Sequence, residues 1–244
     1  MLNLAILYLQ YDIQKYGDSL GKLKKYLSVI KLFKKTIFII DNKNEDKPLE
    51  EIEKNIYYTG GDNSCWEFSG WQKGYELLKN SNIKYDIVLF VNDSFQSYGG
   101  SYLEYINDYM VLKSLFKNYA MGEIDGYDEE IRVFDYTLKK YIRSNCYFIP
   151  KKILDKMNGI CLVDNKILDE IIDKDFNNRY FTDDKYINTY FQKNIINWLQ
   201  NEWHSKFIIK DNWNLFRNKT RAMLNEIALS GEIQKTGAKI KRYK

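Results

Sequence analysis

An α/β fold, with a mainly parallel sheet flanked by helices and a helical C-terminal portion, is what this 244-residue sequence predicts. Three observations lead there. Short apolar or β-branched runs alternate with stretches of helical hydrophobic period through the first hundred residues. The runs are apolar throughout instead of alternating with polar residues, as strands covered on both faces require. No internal repeat, low-complexity tract or Pro-, Gly- or Ser-rich linker divides the chain, so one domain over 1–244 is expected, with halves at 1–100 and 101–244. Hydrophobic residues form 45% of the chain and prolines number two, ample material for one core.

LAILYL (4–9) is a buried strand that stops at Gln10, Tyr11 and Asp12. Leu23, Leu27, Ile30 and Phe33 then recur at helical spacing with Lys22, Lys24, Lys25, Lys31, Lys34 and Lys35 between them, an amphipathic helix with a lysine face. TIFII (36–40) is a second strand, ending in Asp41 and Asn42, and NIYYTG (55–60) is a third. The polar turn GGDNS (60–64) opens a helix in EFSGWQKGYELLKN (67–80). YDIVLFVND (85–93) is the fourth strand and delivers Asn92, Asp93 and Ser94 at its tip. Beyond Gly100 the alternation fails. Residues 101–118 read as helix, MGEIDGYDEE (121–130) as an acid-rich loop, and YIRSNCYFIP (141–150) as a strand stopped by Pro150. A helix follows at 151–157, where a leading proline is well tolerated. Residues 164–174 and 187–203 are helical, and the remainder is mixed, anchored by Trp203, Trp213 and Phe216.

Several chemistries are excluded. GxGxxG, GxxxxGK[ST] and GxSxG are absent. The single histidine, His204, leaves no Ser/His or Cys/His machinery and no HExxH site. Cys65, Cys146 and Cys161 are odd in number, widely spaced and without CxxC, so neither a disulfide framework nor a zinc site is expected. A net charge of +4 is too modest for a dedicated nucleic-acid binder. No apolar run approaches the roughly 18–20 residues of a spanning helix, and the N-terminus lacks the basic start of a signal peptide, so a cytoplasmic protein is expected. Lysines concentrate at 21–35 and 235–244, which makes either two solvated faces or two basic surfaces suited to anionic headgroups or a phosphorylated ligand.

Asp12, Asp41, Asn63 and Asp93 each follow a strand, and ligands of open parallel sheets bind beyond the carboxyl ends of the strands. A carboxylate there suits Mg²⁺ or Mn²⁺ bridged to phosphates, and equally suits a turn closed by side-chain to backbone hydrogen bonds. Glu67, Ser69, Gln72 and Lys73 crowd the start of the 67–80 helix, whose first free N–H groups fit a phosphate or ribose, while Phe68 and Trp71 supply apolar surface.

The succession LAILYL, TIFIID, GGDNSCWEFSGWQKG and YDIVLFVNDSF resembles the nucleotide-binding half of GT-A-fold glycosyltransferases, whose fourth strand carries a DXD-type motif at its tip. VLFVNDSF, followed about fifty residues later by YIRSNCYFIPKKIL, is similar to the rhamnan-synthesis F type of bacterial polysaccharide glycosyltransferases, over roughly residues 4–160. The resemblance implies a GT-A-like (Rossmann-like) enzyme that moves a sugar from a nucleotide-diphosphate donor to a growing surface glycan: lipopolysaccharide, capsule or cell-wall polysaccharide. Its acceptor, glycan or lipid-linked glycan, would place it at the inner face of the cytoplasmic membrane as a peripheral protein. In that resemblance Tyr11, Asp41, Asn42, Asn63, Ser69, Lys73 and Asn92 hold the nucleotide sugar, and Asp93 with His204 holds Mn²⁺ or Mg²⁺. Glu123 and Asp125 supply the acceptor base, Arg143, Ser144 and Asn145 line the acceptor or diphosphate, and SFQSYGG (94–100) lies near the acceptor. Two departures stand out. Asn92-Asp93-Ser94 carries one carboxylate where DXD has two, and QSYGG replaces an expected glycine and proline. The alternatives are a nucleotidyltransferase acting on sugar phosphates, which would release pyrophosphate, and a noncatalytic carbohydrate- or nucleic-acid-binding module, which in the latter case would bind with a steep salt dependence.

Overall fold

The computed structural model describes residues 1–97, 100–173 and 179–243. The chain forms β1 (Leu2–Gln10), α1 (Ile13–Tyr16), α2 (Ser19–Leu27), β2 (Phe33–Asp41), β3 (Glu50–Glu53), β4 (Ile56–Gly60), β5 (Ser64–Trp66), α3 (Glu67–Asn80) and β6 (Ile87–Asn92). A 3₁₀ segment (Gly100–Tyr105) leads to α4 (Asp108–Lys117), and then come β7 (Tyr119–Val133), β8 (Tyr136–Pro150), α5 (Lys151–Leu154), α6 (Asn165–Ile171), α7 (Thr189–Asn197), α8 (Trp213–Lys235) and β9 (Lys239–Lys241).

Among the described residues eight strands make one sheet in the order β3-β4-β2-β1-β6-β8-β7-β9. The sheet is mixed where a mainly parallel one was expected. β1 runs parallel to β2 and β6, β2 to β4, and β7 to β9. β3–β4, β6–β8 and β7–β8 are antiparallel. The correction comes from MGEIDGYDEE, which is not a loop but the middle of β7. Its acidic residues are tolerated because Asp125, Asp128, Glu129 and Glu130 are exposed, and the pairing with β8 shifts register twice along the stretch. The hairpin turns at Phe134, whose φ is 54°.

Helices cover both faces. On one, α2, the 3₁₀ segment and α4 bury Leu23, Leu27, Tyr102, Leu103, Met110 and Val111 against β1, β2 and β6. On the other, α3, α5 and the end of α8 bury Phe68, Trp71, Leu78, Ile153 and Ile233. A third cluster packs the outer half of the β7–β8 hairpin against α6, α7 and the first half of α8. The expected 23–33 helix ends at Leu27, and Phe33 instead starts β2, although Ile30 and Phe33 keep their place in the core. Within the 164–174 segment Lys174 lies outside the described residues. The largest departure is α8, 23 residues where a mixed segment was expected. Its buried side includes Asn225, Ser230 and Glu232, and these polar residues hide the helical period from a count of apolar ones. Among the described residues no helix is long and apolar enough to cross a membrane.

Candidate active-site cleft at the strand ends

From β1 the chain moves to β2 on one side and later fills β6 on the other, so the sheet changes direction between β1 and β6. Asp93 occupies that point. It is buried, and its Oδ2 accepts the amide hydrogens of Tyr11 and Asp12, both at 2.7 Å. Its carbonyl accepts the Ser19 hydroxyl at 2.7 Å. Burial lifts its carboxyl above the usual range against the pull of the two amides. Asp93 therefore sews the tip of β6 to the turn after β1.

Several other expected nucleotide ligands do similar work. Asp41 accepts from the Tyr58 hydroxyl and Asn44 Nδ2, both at 2.6 Å, and from the Lys43 amide at 3.0 Å, closing the turn after β2. Asn42 Nδ2 donates to the Trp66 carbonyl at 2.9 Å and to Asn63 Oδ1 at 3.3 Å. Ser69 Oγ donates to the same Trp66 carbonyl at 3.1 Å and accepts the Cys65 amide at 3.1 Å. Lys73 contributes its charge to Asp62, and exposed Tyr11 lies under the Lys43 ammonium, 4.9 Å from its ring centre.

The carbonyl shared by Asn42 and Ser69 belongs to a residue in an unusual conformation. Trp66 has φ 53° and ψ −135°, a region costly for any bulky side chain. Two donors on its carbonyl and the Lys219 ammonium, 3.7 Å from its ring centre, hold it there. The bend turns β5 directly into α3 and makes Glu67 the first helical residue.

Glu67 lines a cleft of about 500 Å³ beyond the carboxyl end of β6, walled by the β7–β8 hairpin, α7 and α8. Of the expected residues, Asn92, Asp125, Arg143, Ser144 and Asn145 line it, with Ser94 beside them. Tyr11, Asp41, Asn42, Asn63, Ser69, Lys73, Asp93, Glu123 and His204 do not. Glu123 pairs with Arg242 at 3.4 Å. Asn145 is largely occupied by Tyr102 and the Cys146 amide. Of the loop expected at the acceptor, Tyr98 and Gly99 lie outside the described residues.

The centre of the cleft is a pair of carboxylates. Ser144 Oγ donates to Glu67 Oε1 at 2.8 Å, and the Ser144 amide donates to Glu226 Oε1. Burial pushes the Glu226 carboxyl up to about 7; the charge of Glu67 adds to the rise, while Ser144 and Arg143 oppose it. Tyr127, Tyr141, Tyr190 and Trp198 form an aromatic wall, with Tyr127 and Tyr141 stacked at 5.7 Å. Lys219 lies between Trp66 and Trp203, 4.8 Å from the second ring centre. Its burial lowers its pKa, and Glu67 and Glu226 are near enough to counter that.

The residues expected to hold a divalent ion do not fit one. Asp93 Oδ2 is committed to two amides. His204 lies edge-on to Trp203 at 5.2 Å, where burial and the charges of Lys15 and Lys219 lower its pKa, and the same ammonium groups repel a metal. Among the described residues no three His, Cys, Asp or Glu side chains converge on a cation site. No protein-family model, curated protein or solved structure matches the chain. The chemistry of the cleft is accordingly read from its own residues.

Glu226 is the residue that sequence reasoning missed, and a signal for it existed. In MLNEIALSGEI (223–233) carboxylates interrupt an apolar helix instead of clothing one exposed face, which marks them as turned inward. Glu232 confirms the pattern: it is buried and accepts from the Tyr136 hydroxyl at 2.6 Å and Asn158 Nδ2 at 2.7 Å.

Proposed function

We propose that the cleft transfers a sugar from a nucleotide-diphosphate donor to a hydroxyl of a growing bacterial glycan. The observation that carries this is Glu226, joined through Ser144 to Glu67 in a polar, aromatic-walled cleft beyond the central strand ends. A carboxyl poised near neutral pH suits a general base. As the acceptor oxygen attacks the anomeric carbon, its proton passes to the Glu226 carboxylate. The bond from that carbon to the diphosphate breaks, and the electron pair leaves with the nucleotide. A single displacement of this kind inverts the anomeric centre. Arg143 on the cleft wall and Lys219 beside Glu67 supply positive charge for the departing diphosphate. Tyr127, Tyr141 and Trp198 offer flat apolar faces to sugar rings. The base is thus Glu226 in place of the expected Glu123 or Asp125, and Asp125 is left to contact the acceptor.

The test is a panel of nucleotide sugars assayed for transfer and donor hydrolysis. Release of a nucleoside diphosphate is expected, with Glu226→Gln lowering kcat about 10²–10⁴-fold while nucleotide binding persists. Release of pyrophosphate would replace the reading with nucleotidyl transfer, and inertness toward every donor would end it.

A further inference from the structure

The two lysine-rich stretches lie some two hundred residues apart in sequence, and α4 joins them. At its N-terminal end, Asp108 accepts the backbone amides of Lys31 at 2.9 Å and Leu32 at 3.0 Å, so the turn after α2 is clamped to the start of α4. At its C-terminal end, the Asn118 carbonyl accepts the Lys239 amide, Tyr119 pairs with Lys239 in the sheet, and the Lys241 ammonium lies 5.8 Å from the Tyr119 ring centre. The tail therefore runs beside the end of α4, apart from Lys244, which lies outside the described residues.

Between these clamps α4 shows apolar side chains to solvent. Tyr109 is 72% and Phe116 70% exposed, and seven residues, close to two turns, set them on one face with Lys113 between them. Met110, Val111 and Ser114 on the other face are buried. The clamped turn adds Val29 at 51% and Leu32 at 54%. Exposed hydrophobic residues scattered singly are ordinary, but these four gather on one clamped turn and helix, and the same turn, helix and tail carry Lys31, Lys113, Lys117, Lys239 and Lys241. Lys24 pairs instead with Glu53, and the Asp108 carboxylate is engaged by the two amides. Apolar side chains set among cations fit the boundary between headgroups and acyl chains of an anionic bilayer. A symmetric pair of copies through α4 fits worse, because it would bring the same lysine-rich patch of both copies together.

The geometry points to the α4 face, with the turn at Val29 and Leu32 and the β9 tail, as a docking surface for an anionic lipid bilayer. The inference is independent of what the cleft catalyses. Co-sedimentation with vesicles tests it. The protein should pellet with phosphatidylglycerol–phosphatidylcholine vesicles at low salt, stay in solution with phosphatidylcholine alone, and lose binding as salt rises. Tyr109→Ser with Phe116→Ser should lower partitioning at least about tenfold, and each of Lys31→Ala, Lys117→Ala and Lys241→Ala about fivefold. Circular dichroism should be unchanged, because these side chains support no core. Lys166→Ala with Lys193→Ala, exposed on α6 and α7, should leave binding intact. Three results would overturn the proposal: no binding to the anionic vesicles, binding indifferent to the α4 and tail substitutions, or a concentration-dependent dimer that Phe116→Ser dissociates without any vesicle binding.

Discussion

Glu226→Gln should make the protein more stable at alkaline pH while removing the proposed base. In the native protein burial raises the Glu226 carboxyl from 4.5 to about 7, with Glu67 adding to the rise. Between those values the native carboxyl holds a proton that the unfolded chain has released, so stability falls as pH rises through the window. The cost is absent below the unfolded pKa and complete above the folded one. A shift of this size corresponds to about 3 kcal/mol, and partial solvent access to Glu226 trims it to about 2 kcal/mol. Glutamine keeps the shape and an oxygen acceptor for the Ser144 amide but carries no charge to bury. Urea unfolding should therefore show wild type and variant equally stable near pH 4, and the variant more stable by about 2 kcal/mol near pH 8, with equal m-values. In melting temperature the alkaline difference is about 4–8 °C for a chain of this length. If Glu226→Gln instead lost stability at pH 8 and not at pH 4, the carboxylate would be a native ion-pair partner, and its role as a base near neutrality would lose its physical ground.

Asp93→Ala strips the acceptor from the Tyr11 and Asp12 amides, and at about 1–3 kcal/mol for each unmet donor the variant should lose about 2–6 kcal/mol; chemical denaturation showing no loss would remove the clamp between β1 and β6. Gly70→Ala should destabilise although alanine favours a helix by about 1 kcal/mol, because its Cβ would lie 2.3 Å from Leu9 Cδ1 and 2.6 Å from Asn42 Oδ1. A net loss of about 1–3 kcal/mol is expected, and a gain would mean that α3 can lift from the sheet freely. Disulfide-exchange labelling of the native protein should find one fast thiol, Cys161, whose pKa the neighbouring Cys65 and Arg221 draw below the usual thiol range. Cys146, pushed up to about 12 by burial, should react only on unfolding, and Cys161→Ser should abolish the fast phase.

The first hundred residues were largely legible because their structure is set locally. LAILYL, TIFII and YDIVLFVND are continuous apolar runs that only a doubly covered strand can bury, and the helix of residues 67–80 has the bounds expected of it. The C-terminal half was harder because its elements depend on distant partners. β7 carries acidic residues along a strand that is only partly covered, and β9 exists only because β7 offers it an edge. The period of α8 is hidden by Asn225, Ser230 and Glu232, which are buried only because Leu162, Val163, Ile142, Tyr136 and Asn158 come from elsewhere to satisfy them.

The same division holds at the site. The sequence alone determined that carboxylates and amides would stand at the strand ends, because an apolar run must stop where the sheet meets water. Only the tertiary structure decided which of them line the cleft. Asp41, Asn42 and Asp93 sit where chain turns leave backbone donors without partners, and those donors take them. Glu226 is brought from more than a hundred residues beyond β6 to a place where burial leaves its carboxylate poorly solvated and Ser144 links it to Glu67. Which carboxylate has its pKa raised depends on how many hydrogen bonds and how much water its surroundings leave it, and that is a property of packing between segments that no local stretch of sequence contains.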